Sequence, residues 1–415
     1  MIAEILSTGE EIRCGAVVDT NAAHIARRLE EMGVAVRRHL CVGDGLDAIS
    51  RALAEMGTRA DLVVVTGGLG PTQDDRTAQA AAAAAGVACT MNTAALDAME
   101  AFFNNRGRPM TDANRKQARL PQGADWLANP VGTAPGFRLT MGECRFYFLP
   151  GVPREMRRML ETAVLPDLEK RLGQPRSVGR TRTLVTFGLT ESATGEQLDG
   201  FGSLFPDLGI GFQIRFPEIL VRIHGRDGSA DRLESRLDEA ARWACDRLGE
   251  RVVSLTGASM AEVVGGLLRG HGATLAMAES CTGGLMAHWL TEVPGSSDYF
   301  RFSGVVYANA AKTAVLGVPE TILARFGAVS QETARTMAEG ARRVAGTDWG
   351  LATTGIAGPG GGSAEKPVGT VCIGLAGPHG VDAFRHHFPF GDRDMNKRVF
   401  AVTALDRLRR SLLLR

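Results

Sequence analysis

The chain has 415 residues, 44% of them hydrophobic and 22% charged, a globular composition too long for one core and suited to two or three domains. Lys plus Arg at 47 against Asp plus Glu at 46 leave a formal charge of +1, which excludes a general electrostatic drive toward nucleic acid or an anionic membrane. Seven scattered cysteines with no C-x-x-C pair argue against a structural zinc or disulfide framework and predict a reduced, cytoplasmic protein. The opening Met1-Ile2-Ala3-Glu4-Ile5-Leu6 has an acid where a signal peptide has a basic region, and no apolar run is long enough to span a bilayer. Ala3 to Ser7 reads as a first strand, Asn21 to Gly33 as a helix, Val34 to Val36 as a strand and Ala48 to Met56 as a helix. Asp61 to Val65 reads as a fully buried strand, so a parallel sheet covered by helices is expected.

That strand runs into Thr66-Gly67-Gly68-Leu69-Gly70-Pro71-Thr72-Gln73-Asp74-Asp75, followed by the helix-forming stretch Ala78 to Ala85. Ligands of open α/β sheets gather at the carboxyl ends of strands, where glycines let backbone amides approach phosphates. Asp74 and Asp75 are placed to hold a divalent cation against a pyrophosphate, and either is also a candidate N-cap for the alanine helix. Two further loops follow, Asn129-Pro130-Val131-Gly132-Thr133-Ala134-Pro135-Gly136 and Leu149-Pro150-Gly151-Val152-Pro153-Arg154-Glu155-Met156.

Through T-G-G-L-G-P-T-x-D-D, N-P-x-G-T-A-P-G and L-P-G-V-P-x-E-M, residues 1–166 resemble the MoaB/MogA-like, molybdopterin-binding-type α/β/α domain of the CinA family. The resemblance implies a metal-dependent ADP-ribose pyrophosphatase rather than molybdenum-cofactor synthesis. It further implies phosphate or ligand contacts at Gly67, Gly68, Gly70, Thr72, Asn129, Gly132 and Thr133, and a metal of unspecified identity at Asp74 and Asp75. Where the family has G-D-E-L near its start this chain has Gly9-Glu10-Glu11-Ile12, which keeps a carboxylate at Glu10 on the ligand side.

Residues 167–254 carry strand signals at Arg180 to Phe187 and Glu218 to His224, a helix start at Gly188 to Ser192, and an amphipathic helix from Asp231 to Leu248. The family resemblance makes this a small KH-like α+β unit, with a connecting and homodimerisation role. Gly225-Arg226-Asp227-Gly228 fits the G-x-x-G signature of an RNA clamp, but a carboxylate stands where RNA phosphates would lie, so a hairpin or helix-start turn is the expected reading.

In residues 255–415 helix and strand signals alternate again, predicting a second α/β/α sandwich. Thr274 to Ala278 leads through Glu279-Ser280-Cys281-Thr282-Gly283-Gly284 into a helical apolar pattern, a strand-turn-helix that suits an anion or a developing oxyanion. Ser280, Cys281 and Thr282 are three candidate nucleophiles there, and Cys281 is the main rival to Ser280, because helix N-termini activate thiols. Val305 to Lys312, the glycine loop Thr354 to Thr370, and Gly391-Asp392-Arg393-Asp394 are candidates to join it. None of these supplies a histidine, and His386 and His387 lie on an expected strand, satisfied or facing solvent. A serine without histidine needs another base, and a lysine depressed by burial serves.

The motifs A-E-S-C-T-G-G, Y-x-N-x-x-K, G-I-A-G-P-x-G-G-S-x-x-K-P-V-G-T and G-D-R resemble the C-terminal domain of CinA, a nicotinamide-nucleotide amidase. The resemblance implies hydrolysis of nicotinamide mononucleotide to nicotinate mononucleotide and ammonia, with no cofactor in this half. Ser280 then takes the nucleophile role, Lys312 the base and Tyr307 a hydrogen-bonding partner. Thr282, Gly283 and Gly284 would hold the oxyanion, and Thr354, Gly355, Gly358 and Arg393 the substrate and its phosphate. The family often has serine at the position of Ala308, so no role is given to that side chain or to Asn309. The competing readings are a molybdopterin-type cofactor-binding protein and a nonenzymatic accessory of competence or recombination. The balanced charge and the missing aromatic-basic stripe count against direct nucleic-acid binding.

Overall fold

The computed structural model describes residues 1–173 and 178–414, which form two units: residues 1–180 with 226–233, and residues 181–225 with 234–415. In the first, strands β1 (Ile2–Thr8), β2 (Ala35–Val42), β3 (Leu62–Thr66), β6 (Asp125–Leu127), β7 (Gly136–Met141) and β8 (Cys144–Leu149) make one sheet in the order β2-β1-β3-β8-β7-β6. A short ladder of β4 (Cys89–Met91) with β5 (Arg119–Pro121) lies outside it. The sheet is mixed: β2, β1, β3 and β8 run parallel, but β7 and β6 are antiparallel. Met141-Gly142-Glu143-Cys144 is a tight hairpin, and a hairpin reverses direction where a helix crossover would not. Every residue of β3 is buried, as expected of a strand covered on both faces. Helices Thr20–Glu31 and Leu46–Gly57 follow the expected apolar spacing, and the first is capped by Asp19, whose carboxylate accepts from the Ala22 amide.

The second unit has two sheets. Strands β9 (Val178–Phe187), β10 (Leu208–Arg215), β11 (Glu218–Asp227) and β12 (Val252–Ser254) lie in the order β10-β11-β9-β12. Helix Ala230–Leu248 buries Leu233, Leu237, Ala240 and Ala244 as its spacing dictates. Gly225 to Asp227 end β11, and Asp227 accepts from the Ser229 amide just before that helix, so the G-x-x-G stretch is a helix-start turn.

The other sheet comprises β13 (Leu275–Glu279), β14 (Phe300–Val305), β15 (Trp349–Gly355), β16 (Thr370–Gly377) and β17 (Gly380–His387), ordered β14-β13-β15-β16-β17. The first three are parallel and the last two antiparallel, the paired strands expected from sequence. Central β13 is buried throughout, and its side chains alternate. Leu275 and Met277 enter the core shared with helices Met260–Gly270, Leu285–Thr291 and Arg393–Leu413. Ala276 and Ala278 enter the opposite core, with Leu316 and the Gln331–Ala345 helix. This period of two decides which way each residue of the following turn points.

Candidate active site

The turn after β13 is built by a residue to which sequence reasoning gave no role. Glu279 continues the parity of Leu275 and Met277, is fully buried, and turns its carboxylate toward the helix Leu285–Thr291. It accepts from the amides of Gly284 at 3.0 Å, Met286 at 3.2 Å and Ala287 at 2.9 Å. The first-turn amides and the positive end of that helix are therefore spent on an internal carboxylate rather than on a ligand. This corrects two expectations. The Gly284 amide is occupied and does not serve an oxyanion, and the Gly283 amide closes the turn on the Ser280 carbonyl at 3.2 Å. Cys281 and Thr282 carry the amides that the turn leaves unspent among the described residues. Gly284 has φ of +91°, a left-handed backbone that a side chain would strain.

Ser280 carries the alternation one residue further and faces the other core. Its amide donates to the Thr353 carbonyl at 3.0 Å, which fixes the turn to β15, and the Thr282 hydroxyl meets that of Thr353 at 2.8 Å. Lys312 comes from the first turns of the helix Asn309–Leu316 and is 1% exposed. Its Nζ lies 3.3 Å from Ser280 Oγ, 3.0 Å from the Val306 carbonyl and 2.9 Å from the Tyr307 carbonyl. Burial pushes the Lys312 pKa down from its ordinary value, and no carboxylate among the described residues pairs with it. A neutral amine has two N–H groups and one lone pair. Two carbonyls and one serine hydroxyl match that inventory, which leaves the lone pair aimed at the Ser280 proton. Cys281 Sγ sits beside Gly355, and burial pushes its thiol up to about 12, so it stays protonated and the serine is the available nucleophile.

At the rim the Tyr307 side chain is 62% exposed, and its phenol oxygen accepts from Arg393 Nη2 at 3.3 Å. Tyr307 thus supports the dyad through its backbone carbonyl, while its hydroxyl lies at the rim with Arg393. Arg393 is the first residue of the closing helix, behind the N-cap Asp392, and its Nη1 donates to the Gly358 carbonyl at 2.6 Å. Tyr307, Gly358 and Arg393 are therefore brought together. Thr354 is not: its hydroxyl is turned away onto the Ala328 carbonyl at 2.7 Å. Gly355 ends β15 where a Cβ would lie 3.2 Å from Cys281 Sγ, so it seats the turn closely. Lys397, one turn after Arg393 on the same helix, brings Nζ to within 3.7 Å of a Cβ placed on Gly283. Its i+4 spacing from Arg393 was the available signal. His386 is satisfied by Arg407 at 3.2 Å, and His387 is exposed.

In the first unit the glycine loop sits at the carboxyl end of β3. Gly67 has φ of +109°, and a Cβ there would lie 2.2 Å from the Thr8 carbonyl oxygen, so only glycine fits beside β1. The Gly68 carbonyl accepts from the Thr77 amide at 3.1 Å. Asp75 folds back over Gly70 and accepts from the amide and hydroxyl of Thr72 at 2.9 and 2.5 Å, while Lys116 ties the Thr72 and Asp75 carbonyls together. Neither Asp74 nor Asp75 caps the alanine helix; Arg76 occupies the N-cap without a side-chain bond. Asn129 donates to the Ala134 carbonyl and to Glu155, and with Gly132 and Thr133 lines a separate cavity of about 290 Å³.

The expected ligand set of Glu10, Asp74 and Asp75 is not assembled. Glu10 pairs with Arg13, and the described residues hold no group of three or more His, Cys, Asp or Glu that could hold a metal ion. Asp44, to which sequence reasoning gave no role, accepts from the Glu10 amide at 3.0 Å. Burial raises its pKa, and the charges of Glu11, Asp74 and Asp75 act in the same direction.

Residues 257–412 match the family described as the CinA C-terminal domain, and residues 4–170 match the probable molybdopterin binding domain. A CinA-like protein of Desulfosudis oleivorans is 52% identical over 413 residues, covering 100% of both chains. Another, of Desulforapulum autotrophicum, is 47% identical and covers 99% of this chain and 98% of the relative. A crystal structure of CinA from Thermoplasma acidophilum is 38% identical and covers 40% of this chain and 97% of that one, with a TM-score of 0.38. All seven cysteines are free thiols, and no helix among the described residues is long and apolar enough to cross a membrane. With full-length identity of this order, a CinA C-terminal domain match and a molybdopterin-binding-domain match, the chain belongs to the CinA-like family.

Proposed function

We propose that residues 255–415 hydrolyse the carboxamide of nicotinamide mononucleotide to nicotinate mononucleotide and ammonia. The single observation that carries the reading is the buried Ser280–Lys312 pair, with the Lys312 pKa lowered by burial and its Nζ oriented by two carbonyls. In this reading Lys312 Nζ takes the Ser280 proton as Oγ attacks the carboxamide carbon. The tetrahedral oxyanion is received by the unspent amides of Cys281 and Thr282. The C–N bond breaks as Lys312 returns the proton to the departing nitrogen, releasing ammonia. Water, deprotonated by the same amine, then cleaves the acyl ester and restores the Ser280 hydroxyl. Arg393 and Lys397 meet the nucleotide phosphate, which suits a doubly charged anion at a bidentate and a point-charge donor. Ammonia release from nicotinamide mononucleotide tests it: Ser280→Ala should abolish turnover with the melting temperature retained, and Cys281→Ala should keep it. Turnover surviving in Ser280→Ala would refute the assignment.

The glycine loop at the carboxyl end of β3, where only glycine fits at Gly67, supports a second proposed activity for residues 1–166, cleavage of ADP-ribose to AMP and ribose 5-phosphate. A divalent cation held there would polarise a pyrophosphate phosphorus. Asp74 and Asp75 would bind it, and the loop would seat the phosphates. Residues 167–254 serve in this proposal as the connecting and dimerising segment; a chain lacking them that stayed dimeric would overturn that part.

A further inference from the structure

Asn396 stands in the first turn of the closing helix, one turn after Arg393, and is fully buried. Its Nδ2 donates to the Ala357 carbonyl at 3.0 Å and to the Phe390 carbonyl at 2.9 Å. One side chain thus joins three segments: the glycine loop after β15, the stretch that leads into the closing helix, and the helix itself. Turning the amide over would set Oδ1 against two carbonyl oxygens, so these bonds fix its orientation. Oδ1 is then left buried without a partner. Native interiors seldom leave such an atom unmatched, so the filling of space does not account for an amide at this position.

The carbonyls of Ala357 and Gly358 follow one another along the loop. Asn396 takes the first, and Arg393 Nη1 takes the second at 2.6 Å. Residues three apart on a helix share a face, which lets the two side chains reach successive carbonyls. Arg393 Nη2 donates to the Tyr307 hydroxyl at 3.3 Å, so among the described residues its hydrogen bonds go to neutral acceptors and its charge is left for an anion. The loop that orients it has little stiffness of its own: Gly358 has φ of +90°, and Gly360, Gly361 and Gly362 follow. We propose that Asn396 is a positioning residue for the substrate's phosphate: it pins the Ala357–Gly358 carbonyls to the closing helix and so aims Arg393 at the anion. This role rests on the amidase reading, in which Arg393 meets the nucleotide phosphate.

Ammonia release from nicotinamide mononucleotide is measured on the full-length protein carrying Asn396→Leu, Arg393→Ala, or both. Leucine keeps the volume and removes both donors. Asn396→Leu should raise KM by about ten-fold and keep kcat within about two-fold of wild type, because the bonds it removes hold the anion's partner and not the Ser280–Lys312 pair. Arg393→Ala should raise KM at least as much. Adding Asn396→Leu to Arg393→Ala should change KM by less than about two-fold, because a guanidinium that is absent cannot be misaimed. If Asn396→Leu does not fold by circular dichroism, Asn396→Ser is read in its place. An unchanged KM in the Asn396 variant, a fall in kcat without a rise in KM, or KM increases that multiply in the double variant would overturn the proposal and leave the amidase reading standing. Wild-type protein that releases no ammonia would overturn both.

Discussion

Lys312 shows how one environment creates a base. Moving an ammonium out of water disfavours its charged form, and no carboxylate offsets this, so its pKa falls below the ordinary 10.5. The sign follows for both activity and stability. Ammonia release should rise with pH through the lowered value, because only the neutral amine accepts the Ser280 proton, and a profile midpoint at or above the free-lysine value would contradict this. The folded chain also binds fewer protons here than the unfolded one. The contribution to stability is therefore complete above the unfolded lysine pKa and is lost as pH falls through the folded value. Lys312→Met should remove the rising, acid-side limb of the rate profile and lower kcat by about 100-fold or more. Residue chemistry left Ser280, Cys281 and Thr282 open and asked only for a base other than histidine; Ser280 and Lys312 were singled out by resemblance to the family's motifs. The orientations of Tyr307 and Thr354 were not legible, because a motif names a residue without saying which of its atoms points inward.

At the scale of elements, Glu279 has the largest unforeseen role. A carboxylate at the end of a buried strand would ordinarily be costly, yet three helix-start amides satisfy it and join β13 to the next helix as one piece. Glu279→Ala should cost about 2–3 kcal/mol in chemical denaturation and lower kcat more than it raises KM, since the Ser280 turn loses its anchor; an unchanged kcat would count against the anchoring role. The closing helix is fastened in a comparable way. In its basic end Arg409 is buried against Asp406 and donates to the carbonyls of Glu250 and Val252, so it joins β12 to the helix. Asp406→Ala leaves a buried guanidinium without its anion, an expected loss of roughly 3–5 kcal/mol that equilibrium unfolding would measure. Helix positions could be read from apolar periodicity, whereas the antiparallel strands β6 and β7 of the first sheet could not, because direction depends on a hairpin or a crossover and not on strand composition.

Across the whole molecule, the two proposed chemistries rest on residues of different units. Asp74→Asn with Asp75→Asn should abolish metal-dependent ADP-ribose hydrolysis and leave ammonia release within about two-fold of wild type; loss of both activities would show that the sites are coupled. The sequence by itself determined the alternation of strands and helices and the glycine turns at strand ends. These follow from periodicity and backbone freedom, both of which are local. Only the tertiary structure decided that Glu279 rather than a ligand occupies the helix start, that Glu10 is spent on Arg13, and that Glu218 is buried against Arg215. Those facts depend on which partners a buried polar group meets across the fold, and partners distant in sequence become neighbours only when the sheets have closed.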